Sequence, residues 1–393
     1  MITYAKAGVN RKLREKIKMR KFLIEENDII VTYSDNDIGQ AKKYLKVMKI
    51  YNSEKNISQM TRNIGVPRRT FYYWIKGTAP KPINCLKWLK HYHLVPFKKF
   101  DLNNYCHRIL FDIYAFMFGD GSLDKTYIEL SGERKNLRAI ETKIHKFFPN
   151  ISTNIFKTAE RACSLFIYSA YLARFLIALG CPIGDKQSKE YSIPVWVIKD
   201  KRLAKRWLET FLGNEGVKIR EKRRIARIEQ YKLIDLENNA LLFLNQIKQM
   251  LKKFNIKNNI SSSRVTYTRK KDNKKIKGYY LKISRDKLNI YRLLNTLKYR
   301  YAQHKQIEND KTLRYLRKDL ISHNNRFKAY NIAQYLKKNN YKKSQVKKIY
   351  NTLRLFKKGI PWKTFYSGYF LKSFTPRYYQ RRDEIKKFNL KTK

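Results

Sequence analysis

Two stretches, IYAFMFGDGSL (residues 113–123) and WLETFLGNEGVKI (residues 207–219), follow one pattern: an apolar helical run, then an acid followed by glycine. Asp120 and Glu215 hold matching places in the two, so the chain reads as two copies of one unit. Taken singly, Asp-Gly and Glu-Gly are ordinary turn dipeptides. Set at the same point of a duplicated unit, the two acids become candidate ligands for Mg²⁺ or Mn²⁺, which prefer hard oxygens. The carbonyls of Gly119 and Asn214 could complete such a shell.

The residues that follow each acid repeat the same order of elements. After Asp120 the hydrophobic periodicity gives a strand over 126–130, a helix over 136–148, strands over 151–156 and 164–168, and a helix over 170–179. After Glu215 it gives strand-like RRIARIEQ, a helix over 238–254, strands over 262–268 and 279–284, and a helix over 287–297. The expectation is an α+β chain built on two tandem αββαββα repeats, about 105–200 and 201–310, with mainly helical N- and C-terminal domains on either side. Most of the extra length of the second copy lies in YTRKKDNKKIKGYY (267–280), read as a loop between strands. Its Arg269, Lys270, Lys271, Lys274 and Lys275 suit a two-stranded ribbon contacting DNA.

Before the repeats, SDND is read as the cap of a helix through QAKKYLKVMKIY. ISQMTRNIGVPRRTFYYWIKG then reads as a helix-turn-helix at about 56–77, with Gly65 in the turn and Pro67 suited to the first helical position. Ile57, Met60, Ile64, Val66, Phe71 and Trp74 or Ile75 would pack inward, and Arg68, Arg69, Thr70 and Tyr73 would face the major groove. Pro80, Pro82 and Pro96 suggest an exit into a linker that closes a 1–100 region. Residues 311–393 read as two basic helices, an accessory DNA-binding domain with a loose tail.

Composition names the partner class. The chain has 88 Lys and Arg against 31 Asp and Glu, a net charge of +57, and 14% aromatic residues. A basic excess along the whole chain points to nucleic acid, because phosphate electrostatics dominate such binding. Neither a spanning apolar stretch nor a signal peptide is evident, so a membrane is not expected and an intracellular setting, cytoplasm or nucleoid, is. Cys85, Cys106, Cys163 and Cys181 show no CxxC spacing and read as packed thiols; a zinc site from Cys85, His91, His93, Cys106 and His107 matches no usual spacing.

Over about 105–310 the sequence resembles the LAGLIDADG homing endonucleases of the dodecapeptide type. Four places carry the resemblance: the two acid-ended helices, LGCPIGDKQSKEYSIPVWV (179–197) and LKYRYAQHKQ (297–306). Lys186 matches the family's Gly-x-Lys before Ile-Pro, with Lys189 as the alternative, and Lys305 the lysine that closes the second repeat. The resemblance implies a monomer whose repeats form a saddle over double-stranded DNA, with acids holding metal at the scissile phosphates and the two lysines beside them. It also implies small residues where the two helices cross, here Ala115 and Gly119 against Thr210 and Gly213. The expected activity is site-specific, metal-dependent cleavage of both strands; the alternatives on the same fold are a non-cleaving DNA-binding regulator and a maturase binding intron RNA. Met at the start and Lys at the end lack protein-splicing residues, which suggests an intron-encoded or free-standing enzyme.

Overall fold

Caps and turn residues fix the helical N-terminal region. The computed structural model describes residues 22–51, 57–159, 162–216, 219, 226–339, 341–355, 357, 360 and 362–367. Helix α1 (Glu26–Ile30) precedes α2 (Asp35–Tyr51), where Ser34 Oγ accepts from the Asp37 amide at 3.3 Å. Helices α3 (Ile57–Ile64) and α4 (Arg68–Ile75) meet through Gly65, which takes φ +65. The two helices fall within the 56–77 segment that the sequence reads as a helix-turn-helix, with Val66, Phe71 and Trp74 buried beneath them. The side chains of Ile57 and Met60 fall outside the described residues. Pro67 is the cap of α4 rather than its first residue.

The prolines that follow do not open a linker. Pro80 caps α5 (Lys81–His91) and Pro82 sits in its first turn, where a missing amide costs no hydrogen bond. Through α5 the helical region joins the core of the first repeat: Trp88 stacks on Phe148 at 5.6 Å, and Arg174 lies 4.1 Å over the Tyr33 ring. Cys85 belongs to that packing, its thiol 4.0 Å from the Tyr171 carbonyl and pushed up to about 11 by burial.

In the first repeat, Asn104 caps α6 (Tyr105–Phe116) by accepting from the His107 amide at 3.2 Å. Then come β1 (Gly121–Leu123), β2 (Ile128–Gly132), α7 (Arg134–Phe147), β3 (Ser152–Lys157), β4 (Cys163–Tyr168) and α8 (Ala170–Ala178), the full αββαββα order. The strands form one antiparallel sheet in the order β1-β2-β4-β3, and α7 packs across it. Leu130, Leu165 and Ile167 point to the helix side while Phe156, Phe166 and Tyr168 lie on the open face, as strand alternation requires.

A short helix, α9 (Val195–Lys199), leads into α10 (Lys201–Glu215), capped by Asp200 at 2.7 Å from the Arg202 amide. The second repeat continues with β5 (Ala226–Leu233), α11 (Glu237–Lys252), β6 (Asn258–Thr268), β7 (Lys275–Ile283) and α12 (Lys287–Thr296). Its sheet, β5-β7-β6, has three antiparallel strands among the described residues. A counterpart of β1 would fall at 217–225, which apart from Ile219 lies outside the described residues. β6 and β7 extend into the stretch read as loop, leaving a tight turn closed by the Arg269 amide to the Lys274 carbonyl at 2.9 Å. Helix α13 (Gln303–Lys338) runs unbroken through residue 310, the domain boundary the sequence suggests, and is followed by α14 (Lys343–Thr352) and α15 (Trp362–Ser367) around a second small core. The tail beyond residue 367 is outside the described residues. No described helix is long and apolar enough to cross a membrane.

Candidate active site

The two acid-ended helices α6 and α10 pack directly on each other. Most of each is buried, and each carries one carboxylate inside the interface region: Asp112 is 1% exposed and Glu209 is 4% exposed. Buried charges need partners, and both have them. Arg206 grips Asp112 with two bonds of 2.7 Å, Tyr301 donates to it at 2.5 Å and Thr210 at 3.3 Å. Glu209 is held by Arg300 Nε at 2.9 Å and by the Lys298 amide at 3.4 Å. The 297–306 segment thus wraps the helix pair, tying α6 to α10 through Asp112 and Tyr301.

At the tips of the helices the glycine after each acid has the same reason to be glycine. A Cβ on Gly121 would stand 2.7 Å from the Phe116 carbonyl, and one on Gly216 would overlap the Leu212 carbonyl. Close approach to the preceding turn, rather than positive φ, sets the pattern. Gly119 lies against the other repeat, 3.0 Å separating its Cβ position from Glu215 Cγ. Gly213 does not face α6 as the small-residue pattern suggests; a Cβ there would overlap the Arg300 carbonyl.

Lys186 and Lys305 occupy equivalent positions at the two helix ends. Lys186 Nζ donates to the carbonyls of Gly119 and Gly121, the latter at 2.7 Å; Lys305 Nζ donates to Gly213 at 3.0 Å and to Asn214 at 2.5 Å. A cation at these carbonyls complements the negative end of the helix dipole. The carbonyls of Gly119 and Asn214, considered above as metal ligands, therefore each already accept an ammonium. Burial lowers the pKa of both lysines, and Glu215 and Asp120 oppose that shift. Glu215 is raised to about 7 by burial and then by Asp120, with both lysines pulling the other way. The arrangement is a carboxylate pair and two ammonium groups within electrostatic reach of one another. Among the described residues no group of three His, Cys, Asp or Glu is placed to hold a metal, so protein carboxylates would supply only part of any shell.

The expected DNA contacts divide. Arg68, Arg69 and Tyr73 are exposed on α4, with Arg69 donating to the Tyr73 hydroxyl at 3.3 Å and Thr70 half-buried beside them. Lys270, Lys271, Lys274 and Lys275 are exposed on the hairpin. Arg269 is not free: it pairs with Asp185 at 2.5 Å and with Asp272, pinning the hairpin to the loop that holds Lys186. Lys189 offers its backbone carbonyl to the buried Lys232, whose pKa burial lowers to about 8. Sequence reasoning passed over Arg227 and Lys282 on the open face of the second sheet, both near the Tyr280 ring at 5.4 and 5.9 Å. The alternation of Ala226, Ile228 and Gln230 (buried) with Arg227 and Tyr231 (exposed) was the available signal.

Fold and site define an α+β chain of two sheet-bearing repeats joined along an acid-tipped helix pair. No family model matches the chain. It is 27% identical over 254 residues to the tRNA-splicing ligase RtcB of Methanocaldococcus jannaschii, covering 56% of this chain and 26% of that protein. It is also 27% identical to DNA-directed RNA polymerase subunit Rpo1N and to the replication factor C small subunit of the same organism, over 53% and 49% of this chain but 16% and 11% of theirs. The chain therefore spans about a quarter or less of the length of these relatives. Solved structures that align with it include I-DmoI in complex with DNA and calcium (15% identity, 49% of this chain, 91% of that one, TM-score 0.33) and full-length DUF199/WhiA from Thermatoga maritima (14%, 73%, 93%, 0.31).

Proposed function

We propose that the chain is a site-specific DNA endonuclease that hydrolyses both strands with Mg²⁺ or Mn²⁺ where Asp120 and Glu215 meet. The observation that carries this reading is the meeting of the two repeat ends, where Gly119 lies against Glu215 and Lys186 and Lys305 hold the carbonyls beside the two acids; burial and Asp120 raise the pKa of Glu215 there to about 7. Two carboxylates brought within electrostatic reach of one another, on a chain whose net charge is +57, suit a hard divalent cation. The donor set fits a hard divalent ion: Asp120 and Glu215 would hold it, with the remaining positions left to water and phosphate oxygens. Bound metal supplies polarisation of the phosphoryl oxygen and a more acidic water. The chain's own contribution is placement. Lys186 and Lys305, fixed at the helix ends, stabilise charge that builds on the phosphate in the transition state, and the basic residues of the second sheet, its hairpin and α4 neutralise the flanking backbone.

The relatives support an inserted module. Matches to a ligase, a polymerase subunit and a replication factor, each over about a quarter or less of that protein, do not assign any of the three activities to this chain. An endonuclease carried within host genes, as in the family the motifs resemble, accounts for that distribution. Asp120→Asn or Glu215→Gln should abolish cutting while leaving duplex binding nearly intact. Loss of both together would instead assign the acids to folding, and tight binding without cutting by the intact chain would favour a regulator or an RNA-binding maturase.

A further inference from the structure

The C-terminal helices repeat the N-terminal ones. Residues VMKIYNS (47–53) and VKKIYNT (346–352) form one matching block, and GVPRRTFY (65–72) and GIPWKTFY (359–366) a second, in the same order. Between the blocks lie residues 54–64, which contain α3, in the first copy and 353–358 in the second, so the later copy is a shortened form. Gly359, Pro361, Lys363 and Thr364 enter this comparison by sequence alone.

Packing agrees with the alignment. Each first block ends a helix, α2 or α14, and each second block forms the following reading helix, α4 or α15. The paired residues Val66 and Ile360 are 5% and 1% exposed, and Phe71 and Phe365 are both 0% exposed. Phe71 meets Tyr51 at 6.2 Å and Phe365 meets Tyr350 at 5.4 Å, the same pair in the alignment. The next residue points outward in both copies: Tyr72 is 51% and Tyr366 49% exposed, each under a lysine, Lys76 at 5.2 Å and Lys343 at 5.7 Å. Two elements that match in sequence order, in the buried pair and in the exposed aromatic that follows it are copies of one module rather than two unrelated helical ends.

We infer that α14 and α15 form a second DNA-reading module, equivalent to the helix-turn-helix, in which Tyr366 stands where Tyr72 stands in the first and Lys363 aligns with Arg69 in sequence. Its ligand is duplex DNA flanking the central footprint on the side opposite the first module. Helix α13, 36 residues and so about 54 Å long, carries the module away from the second repeat. Placing one copy before the two repeats and one after them gives the chain a bipartite outer grip around its central pair of sheets. This rests on the DNA reading of α3 and α4.

The test is selection of bound sequences by the full chain, with Ca²⁺ to hold the complex, from a randomised duplex library longer than the central footprint. The expected pattern is a central block with a preferred element on each side. Lys363→Ala with Tyr366→Ala should erase one flank alone and weaken binding to the selected duplex about tenfold, while Arg69→Ala with Tyr72→Ala erases the other. Because Phe365 and Tyr350 are untouched the module should stay folded, and Tyr366→Ala alone, at an exposed residue, should reproduce part of the loss. A central block with no flank sensitive to these substitutions would overturn the inference and leave the nuclease reading standing; flanks without a central block would do the reverse. Preference of the intact chain for hairpin RNA over duplex, lost in the same variants, would reassign the module to RNA and also overturn it.

Discussion

Replacing Asp112 by alanine should be among the most damaging single changes in this chain. The carboxylate is 1% exposed and receives two bonds from Arg206, one from Tyr301 and one from Thr210, so its removal strands a guanidinium whose side chain is 14% exposed between α6 and α10. Breaking one side of a buried pair costs about 3–5 kcal/mol. At a slope of about 3 kcal/mol per molar urea, the unfolding midpoint would drop by roughly 1–1.7 M. Removing the whole network is a different matter, because well-packed apolar replacements avoid desolvation. Asp112→Leu with Arg206→Met and Tyr301→Phe should therefore recover most of the loss, to within about 1–2 kcal/mol of the parent chain. Urea unfolding followed by far-UV circular dichroism measures both. A loss below about 1 kcal/mol for Asp112→Ala, the value of an exposed pair, would refute the claim that this network clamps the helix pair.

Three further outcomes follow from the same geometry. With the pKa of Glu215 raised from 4.5 to about 7, the folded chain binds a proton that the unfolded chain releases, so metal-free stability should fall by about 2.5 kcal/mol between pH 5 and pH 8, and Glu215→Gln should remove that fall in unfolding measured at both pH values. Gly213→Ala must displace the Arg300 backbone, at a cost of about 3 kcal/mol that outweighs the ~1 kcal/mol gained in helix propensity, whereas Gly119→Ala meets only the movable Glu215 side chain and should cost less; paired denaturation curves rank them. Deleting residues 1–100 uncovers Phe148 and Phe175, which pack on Trp88 and Phe97, so the truncated chain should unfold at lower urea as well as bind DNA less well; unchanged unfolding would show the region to be a mere appendage.

Local pattern carried much of the architecture. The Asp-Gly and Glu-Gly endings located both central helices, and alternation in stretches such as ARIEQYKL located strands to within a few residues. The helix-turn-helix was legible because Gly65 and Pro67 punctuate it. Other features have no local signature. Asp112 and Arg206 are far apart in sequence and meet only when the repeats pack, and Gly213 looks like a helix-contact glycine until the Arg300 backbone is seen over it. Pro80 and Pro82 read as breakers although they start α5, since a proline tolerated at a helix start looks the same in sequence as one that ends structure. Arg269 looks like one more basic loop residue; only the fold brings Asp185 to it. Lys186 and Lys305 stood out among 88 basic residues by family resemblance alone, and their shared place at the two helix ends appears only in three dimensions.

The most direct measurement is sequencing of DNA ends after the purified chain acts on genomic DNA from its source and from a relative lacking the element, with Mg²⁺ and with EDTA. The account predicts paired double-strand ends at a discrete locus with Mg²⁺, none in EDTA, and none with Asp120→Asn although that variant still binds the locus. Tight binding with no ends under any divalent metal would contradict it.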